Sequence, residues 1–150
     1  MVGDSMVKRI YIDEDYCVSC GLCQVYCRTE HSEYDDIIKA HKKEDSEPVS
    51  GIFKEEEEPS SFAVQCRHCE EAPCIDACIT GAMHRDPETG SVVRDEDKCV
   101  GCWSCLMVCP LGVVKRDEDE KSVAMKCNLC PDKDTPVCVA NCPNEVLELR

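Results

Sequence analysis

Aromatic side chains are scarce: one Trp, two Phe and four Tyr make up 5% of the 150 residues. Large rings dominate ordinary cores, so this chain must fill its interior in another way. No apolar run approaches the roughly 20 residues that cross a bilayer, and no membrane insertion is expected. Residues 1–15 lack the apolar stretch and small-residue cleavage site of a secretory leader, and Lys8-Arg9 is not a twin-arginine signal. The expectation is a cytoplasmic protein, with no anchor or catalytic domain after the closing strand. Basic residues are also few, 17 against 31 acidic ones, leaving a net charge of −14 and a pI near 4.6. Such a field repels nucleic acid. Neither G-x-G-x-x-G nor a Walker loop occurs. No nucleophile–base pair is legible, so no catalytic residue is expected.

What is abundant is cysteine, 16 residues in four groups of four with none outside. The groups are Cys17, Cys20, Cys23, Cys27; Cys66, Cys69, Cys74, Cys78; Cys99, Cys102, Cys105, Cys109; and Cys127, Cys130, Cys138, Cys142. The first and third read C-x2-C-x2-C-x3-C. The second reads C-x2-C-x4-C-x3-C and the fourth C-x2-C-x7-C-x3-C. Three closely spaced thiolates wrap one face of an iron–sulfur cube, and the cysteine after x3 reaches a different cube. Sixteen thiolates at four per cube predict four [4Fe–4S] clusters. With cysteine set aside, only about a third of the chain is left to form a carbon core, far short of a normal domain. The clusters are therefore expected to be the core, and the metal-free chain to be largely unfolded. A disulfide scaffold would need an oxidising compartment. A zinc ribbon uses C-x2-C knuckles two ligands at a time; the fourth group alone can be read so, but a third thiolate is superfluous to a zinc knuckle.

Along the chain, residues 8–12 read as a short strand, and a helix starts near Leu22 and carries Cys27. Residues 30–43 have mixed helical character. Residues 44–60, with Pro48, Gly51, Pro59 and four consecutive glutamates, read as an exposed linker. A strand is expected over 62–65, and a helix from Pro73 carrying Cys74 and Cys78. Two strands, 82–85 and 91–94, flank the turn sequence Asp-Pro-Glu-Thr-Gly. The helix of the third group should end at Cys109-Pro110. A second hairpin is expected from 113–115 and 123–125 around the acidic turn 117–120, and residues 146–149 close as a strand. Strand, cysteine loop, short helix and hairpin thus recur, an internal repeat of the bacterial ferredoxin kind. A pair of groups makes one module. Pairing two with three leaves one with four, a nested arrangement; a tandem arrangement must hold the long 28–65 segment inside one module.

The order and spacing of the groups, with Cys-Arg-His-Cys-Glu-Glu-Ala-Pro-Cys at 66–74, Gly81-Ala82 and Asp97-Lys98-Cys99-Val100-Gly101-Cys102-Trp103, resemble the four-cluster iron–sulfur subunits of oxidoreductases. That family includes electron-transfer subunits of dimethyl sulfoxide reductase, formate dehydrogenase and formate hydrogenlyase, and proteins associated with CO dehydrogenase and tungsten aldehyde oxidoreductases. The resemblance implies nested pairing. One cluster would take Cys17, Cys20, Cys23 and Cys142, and a second Cys27, Cys127, Cys130 and Cys138. A third would take Cys66, Cys69, Cys74 and Cys109, and a fourth Cys78, Cys99, Cys102 and Cys105. Cys102 is present where some relatives lose it and hold a three-iron cluster. Cys27 and Cys78 precede Arg28 and Ile79 where proline is usual, which removes no ligand.

The expected fold is thus α+β, with two interlocked ferredoxin-like modules of short hairpins and helices around four clusters. The outer module would comprise residues 1–61 with 117–150, and the inner one 62–116. The expected role is a non-catalytic relay of single electrons between a catalytic oxidoreductase subunit and a second redox partner, in a hetero-oligomer. The catalytic subunit would be of CO dehydrogenase, formate dehydrogenase, hydrogenase or tungsten aldehyde oxidoreductase type. The alternatives are a filament-forming polyferredoxin core and a zinc-ribbon interaction module. His68 reads as a loop residue beside thiolates already sufficient in number, and His31, His41 and His84 show no ligand spacing. Trp103, Tyr16 and Tyr26 adjoin cysteines and either shield sulfur or simply pack. Lys98, beside Cys99, is expected at the surface.

Overall fold

Short elements carry the chain because cysteine loops interrupt every run of regular structure. The computed structural model describes residues 7–43, 49–57, 60–116 and 126–150. Among them are three antiparallel ribbons: β1 (Ile10–Ile12) with β6 (Leu147–Leu149), β2 (Ile52–Glu57) with β3 (Ser60–Gln65), and β4 (Met83–Arg85) with β5 (Val92–Arg94). The helices are α1 (Leu22–Glu30), α2 (Ile37–Lys43), α3 (Pro73–Asp76), α4 (Ser104–Val108) and α5 (Val137–Ala140). This is the expected α+β class.

The β4–β5 ribbon follows from its turn. Asp86 accepts hydrogen bonds from the Glu88 N–H at 2.9 Å and the Thr89 hydroxyl at 2.8 Å, and Gly90, at φ 68°, supplies the left-handed step. Those two bonds hold the Asp86 carboxyl below its ordinary pKa. Arg85 then ties the ribbon to the second cysteine loop. Its guanidinium donates to Gly90 O at 2.6 Å and to Cys69 O and Glu70 O at 2.7 Å each.

The other closure is long-range. β1 pairs with β6 in the register Ile10↔Leu149 and Ile12↔Leu147, and Asp13 N–H donates to Val146 O at 2.9 Å. α1, from the first cysteine group, packs on α5, from the fourth. α3, from the second, packs on α4, from the third. α4 ends at Cys109, as Pro110 requires, and Pro73 opens α3.

Two expectations fail. The helix from Pro73 carries Cys74 but not Cys78: α3 stops at Asp76, where the chain tightens into a turn with Cys78 N–H donating to Ile75 O at 3.1 Å. Residues 49–57 are not exposed linker: Ser50, Gly51 and Ile52 are buried, and 52–57 form β2. The cause is tertiary. Ser50 Oγ donates to Ile52 O at 2.7 Å, Gly51 N–H donates to Cys27 Sγ at 3.3 Å, and Ile52 pairs with Gln65. These contacts override the poor strand preference of the glutamates. Residues 44–48 and 58–59 of that segment lie outside the described residues, as do the acidic turn 117–120 and the strand expected at 123–125; Lys115 makes a β-bridge.

The interior is built from aliphatic residues and sulfur together. Ile10, Ile52, Ala63, Val113, Val146 and Leu147 pack with Cys27, Cys66, Cys127 and Cys138. Met83 and Val114 pack with Cys105. Gly51 is the tightest point: a Cβ there would stand 2.8 Å from both Cα and N of Cys127. Gly51→Ala is expected to destabilise the iron-loaded protein by about 1–3 kcal/mol through backbone displacement, measured by denaturant unfolding.

Candidate metal centres

The sequence repeat is also a backbone repeat. In every group the residue before the second cysteine is left-handed: Ser19 at φ 53°, His68 at 45°, Gly101 at 67° and Leu129 at 63°. For the three non-glycine residues this conformation costs roughly 1–2 kcal/mol each. Such steps turn backbone N–H groups into concavities that hold anions, which suits a thiolate-bound cluster.

The cysteine side chains gather across groups. One cavity is lined by Cys17, Cys20, Cys23 and Cys142. Another is lined by Cys78, Cys99, Cys102 and Cys105. Electrostatic coupling links the rest. Burial pushes the Cys23 thiol up to about 11, the Gln24 backbone opposes this, and Cys20, Cys17 and Cys142 push it further. Cys138 is driven up by burial and then by Cys127, Cys27, Cys130 and Cys23. Burial raises Cys74 to about 11, with Cys66 and Cys109 adding to the rise. Cys105 is raised by burial and also feels Cys99 and Cys102. Cys69 is fixed in the second loop by the Arg85 bond to its carbonyl. Electrostatic coupling also crosses between groups, for Cys138 feels Cys23, and Cys127 feels both Cys27 and Cys66.

Two thiols run the other way. Burial raises Cys78, but the Met83 N–H, 3.3 Å from its sulfur, and Thr80 outweigh this and leave it lowered. Cys102, exposed, is lowered by hydrogen bonds from Ser104. Among the described residues no three His, Cys, Asp or Glu side chains are grouped as a single metal ion needs. Eight of the sulfurs instead ring two cavities, four to each, and an all-thiolate donor set suits an iron–sulfur cube.

Two buried polar residues sit where the second and fourth cysteine groups approach each other. His68 is fully buried, with Nδ1 accepting the Val92 N–H at 3.1 Å. Burial lowers its pKa to about 3, with Lys126, Arg9 and Arg85 adding to the fall against the Val92 bond. Lys126, 5% exposed, donates to Val92 O, to Cys127 O at 2.9 Å and to Cys66 Sγ at 3.8 Å. Sequence reasoning missed Lys126. The available signal was its place directly before Cys127, as Lys98 stands before Cys99. Lys98 is exposed and pairs with Asp95 at 3.1 Å, as expected. Tyr16 is 70% exposed and covers little, Tyr26 is half-buried, and Trp103 lines the Cys102 cavity with the Arg116 guanidinium 4.0 Å from its ring.

Fold and cysteine geometry together define a small ferredoxin-like iron–sulfur protein. Residues 59–150 match the 4Fe-4S dicluster domain, a stretch that holds the second, third and fourth cysteine groups. An "Iron-sulfur protein" of Rhodospirillum rubrum is 35% identical over 162 residues, covering 93% of this chain and 80% of the relative. The "Thiosulfate reductase electron transfer subunit PhsB" of Salmonella typhi is 33% identical over 148 residues, covering 91% of this chain and 71% of the relative. The "Active site complex BamBC of Benzoyl Coenzyme A reductase as isolated" shares the fold, with a TM-score of 0.51 at 19% identity, covering 96% of this chain and 76% of that one. The chain belongs to the 4Fe-4S dicluster family, and its cofactors are [4Fe–4S] clusters, which the sixteen cysteines are enough to hold four times over. When bound, a cluster supplies one-electron redox chemistry.

The raised thiols give cluster loading a pH dependence. At neutral pH they are protonated, and iron must displace those protons. Lowering pH strengthens the competing proton, so anaerobic reconstitution is expected to weaken steadily from about pH 8 to about pH 6. Iron–thiolate charge-transfer absorbance during iron and sulfide titration measures this.

Proposed function

We propose that the chain is the electron-transfer subunit of an oxidoreductase complex and holds four [4Fe–4S] clusters in series. The ligand sets are Cys17, Cys20, Cys23 and Cys142; Cys27, Cys127, Cys130 and Cys138; Cys66, Cys69, Cys74 and Cys109; and Cys78, Cys99, Cys102 and Cys105. The observation that carries this reading is the gathering of thiols across groups, with Cys142 lining the cavity of the first group and Cys78 that of the third. The modules are nested: residues 62–116 form the inner one, and 1–61 with 117–150 the outer one. The β1–β6 ribbon and the packing of α1 on α5 support the outer closure.

The series has two ends. Cys20 is exposed beside Tyr16, Val18 and Leu22. Cys102 is exposed beside Val100, Trp103 and Met107. These apolar collars around near-surface sulfur are the docking faces, one for a catalytic subunit and one for a second redox subunit or carrier. The catalytic partner is of CO dehydrogenase, formate dehydrogenase, hydrogenase or tungsten aldehyde oxidoreductase type, and a basic face on it would complement the −14 charge. Substrate chemistry belongs to that partner. Sixteen cysteines committed to metal suit a reducing compartment, and the cytoplasm is the location this reading carries; no described helix is long and apolar enough to cross a membrane.

Two measurements test this. Anaerobic purification of the native complex with metal and sulfide analysis should yield about sixteen irons per chain together with the catalytic partner; a colourless protein with zinc and no sulfide would overturn the reading. Cys142→Ala should damage the cluster of Cys17, Cys20 and Cys23 and leave that of Cys127, Cys130 and Cys138 intact. EPR showing loss of only the latter signal would refute the nested ligand sets.

A further inference from the structure

We propose that Lys126 sets the electron affinity of the central junction: its buried ammonium, bonded to Cys66 Sγ and to the Cys127 carbonyl, selectively raises the reduction potentials of the two clusters that those cysteines hold. This rests on the ligand sets proposed above.

The geometry is specific. An ammonium has three donors, and Lys126 has an acceptor for each, namely Val92 O, Cys127 O and Cys66 Sγ. Two of these are neutral carbonyls. None of the ion pairs found among the described residues includes Lys126. A buried cation without a carboxylate needs another anion, and thiolate-bound clusters are the anions this junction offers. The position belongs to both modules, because Cys66 opens the second cysteine group and Cys127 the fourth. The backbone of Val92 completes the brace, with its N–H on His68 Nδ1 and its carbonyl on Lys126.

Positive charge collects here in a chain whose net charge is −14. Arg85 holds the carbonyls of Cys69 and Glu70, and Arg9 acts on the same loop, 3.4 Å from Glu70.

Taking up one electron moves a thiolate-bound cluster from about −2 to about −3 in charge. The electron comes from a reduced partner and passes to the next cluster, with no bond or proton changed. A fixed cation and an N–H···S hydrogen bond favour the more negative state, so both raise the potential. The terminal quartets lack this ammonium. Lys54, half-buried at the Cys17 cavity, is a separate cation.

EPR-monitored redox titration of the anaerobically purified full chain tests the proposal. Lys126→Met is expected to lower two of the four potentials and leave two unchanged, with Lys126→Arg restoring both. A Lys126→Met protein with its full iron content and four unaltered potentials overturns the inference and leaves the four-cluster reading standing. A uniform fall of all four also overturns it. A wild-type chain with far fewer than sixteen irons removes the reading itself, and the inference with it. Because Lys126→Met also strands two carbonyls, the wild type carries an independent readout. With 15N-lysine, electron spin-echo modulation should show lysine nitrogen coupled to a central cluster, lost in Lys126→Arg. Its absence in wild type overturns the proposal whether or not the variant loads.

Discussion

Burial of sulfur in place of carbon is the constraint on which the rest of the structure depends. Cys27, Cys66, Cys105, Cys127 and Cys138 occupy interior positions that rings or branched aliphatics would take in an ordinary domain. A buried thiol resists ionisation, and burial is the leading push on Cys23, Cys74, Cys127 and Cys138 alike. The same groups bind iron only as thiolates. Metal and fold are therefore one equilibrium, in which iron supplies the force that drives the protons out. The strained steps at Ser19, His68 and Leu129 belong to that balance, since each favours a loop that is useful only around an anion.

The electrostatics differ from middle to ends. Cys66, Cys127 and Cys138 are desolvated, with Lys126 on the Cys66 sulfur and Arg85 and Arg9 on the loop that follows it. At the Cys102 end, hydrogen bonds from Ser104 and Met83 replace burial as the deciding influence and pull two thiols down. A chain that is strongly acidic overall thus gathers Lys126, Arg85 and Arg9 at its second cysteine loop and opens Cys20 and Cys102 towards solvent. Single-electron transfer between proteins needs both an insulated middle and approachable ends, and no catalytic constellation is required anywhere along the way.

Local features were legible in the sequence. Asp86 to Gly90 announced the β4–β5 ribbon because the turn chemistry is self-contained. Pro73 and Pro110 bounded α3 and α4 through backbone rules that need no tertiary context. The cysteine spacing predicted a fourfold repeat, and it recurs in the dihedral angles as well as the residue types. What could not be read was non-local. β1 and β6 are each plausible strands, but nothing near residue 10 says that its partner lies at 149. β2 was hidden by its glutamates; it exists because Gly51 fits against the Cys127 backbone and Ser50 and Ile52 are drawn inside. Nothing local set Lys126 apart, since burial of a long cation depends on acceptors contributed by residues 66 and 92.

The seating of Cys142 beside Cys17, Cys20 and Cys23 has a consequence for biosynthesis. The ribosome completes 119 further residues between Cys23 and Cys142, which takes roughly 6–24 s at ordinary elongation rates. Throughout that interval the earliest thiols lack their fourth neighbour, whereas Cys78, Cys99, Cys102 and Cys105, which line one cavity, have all been made by residue 105. Maturation would thus run from the Cys102 cavity towards the Cys17 cavity, with the first cysteines translated being the last to receive iron.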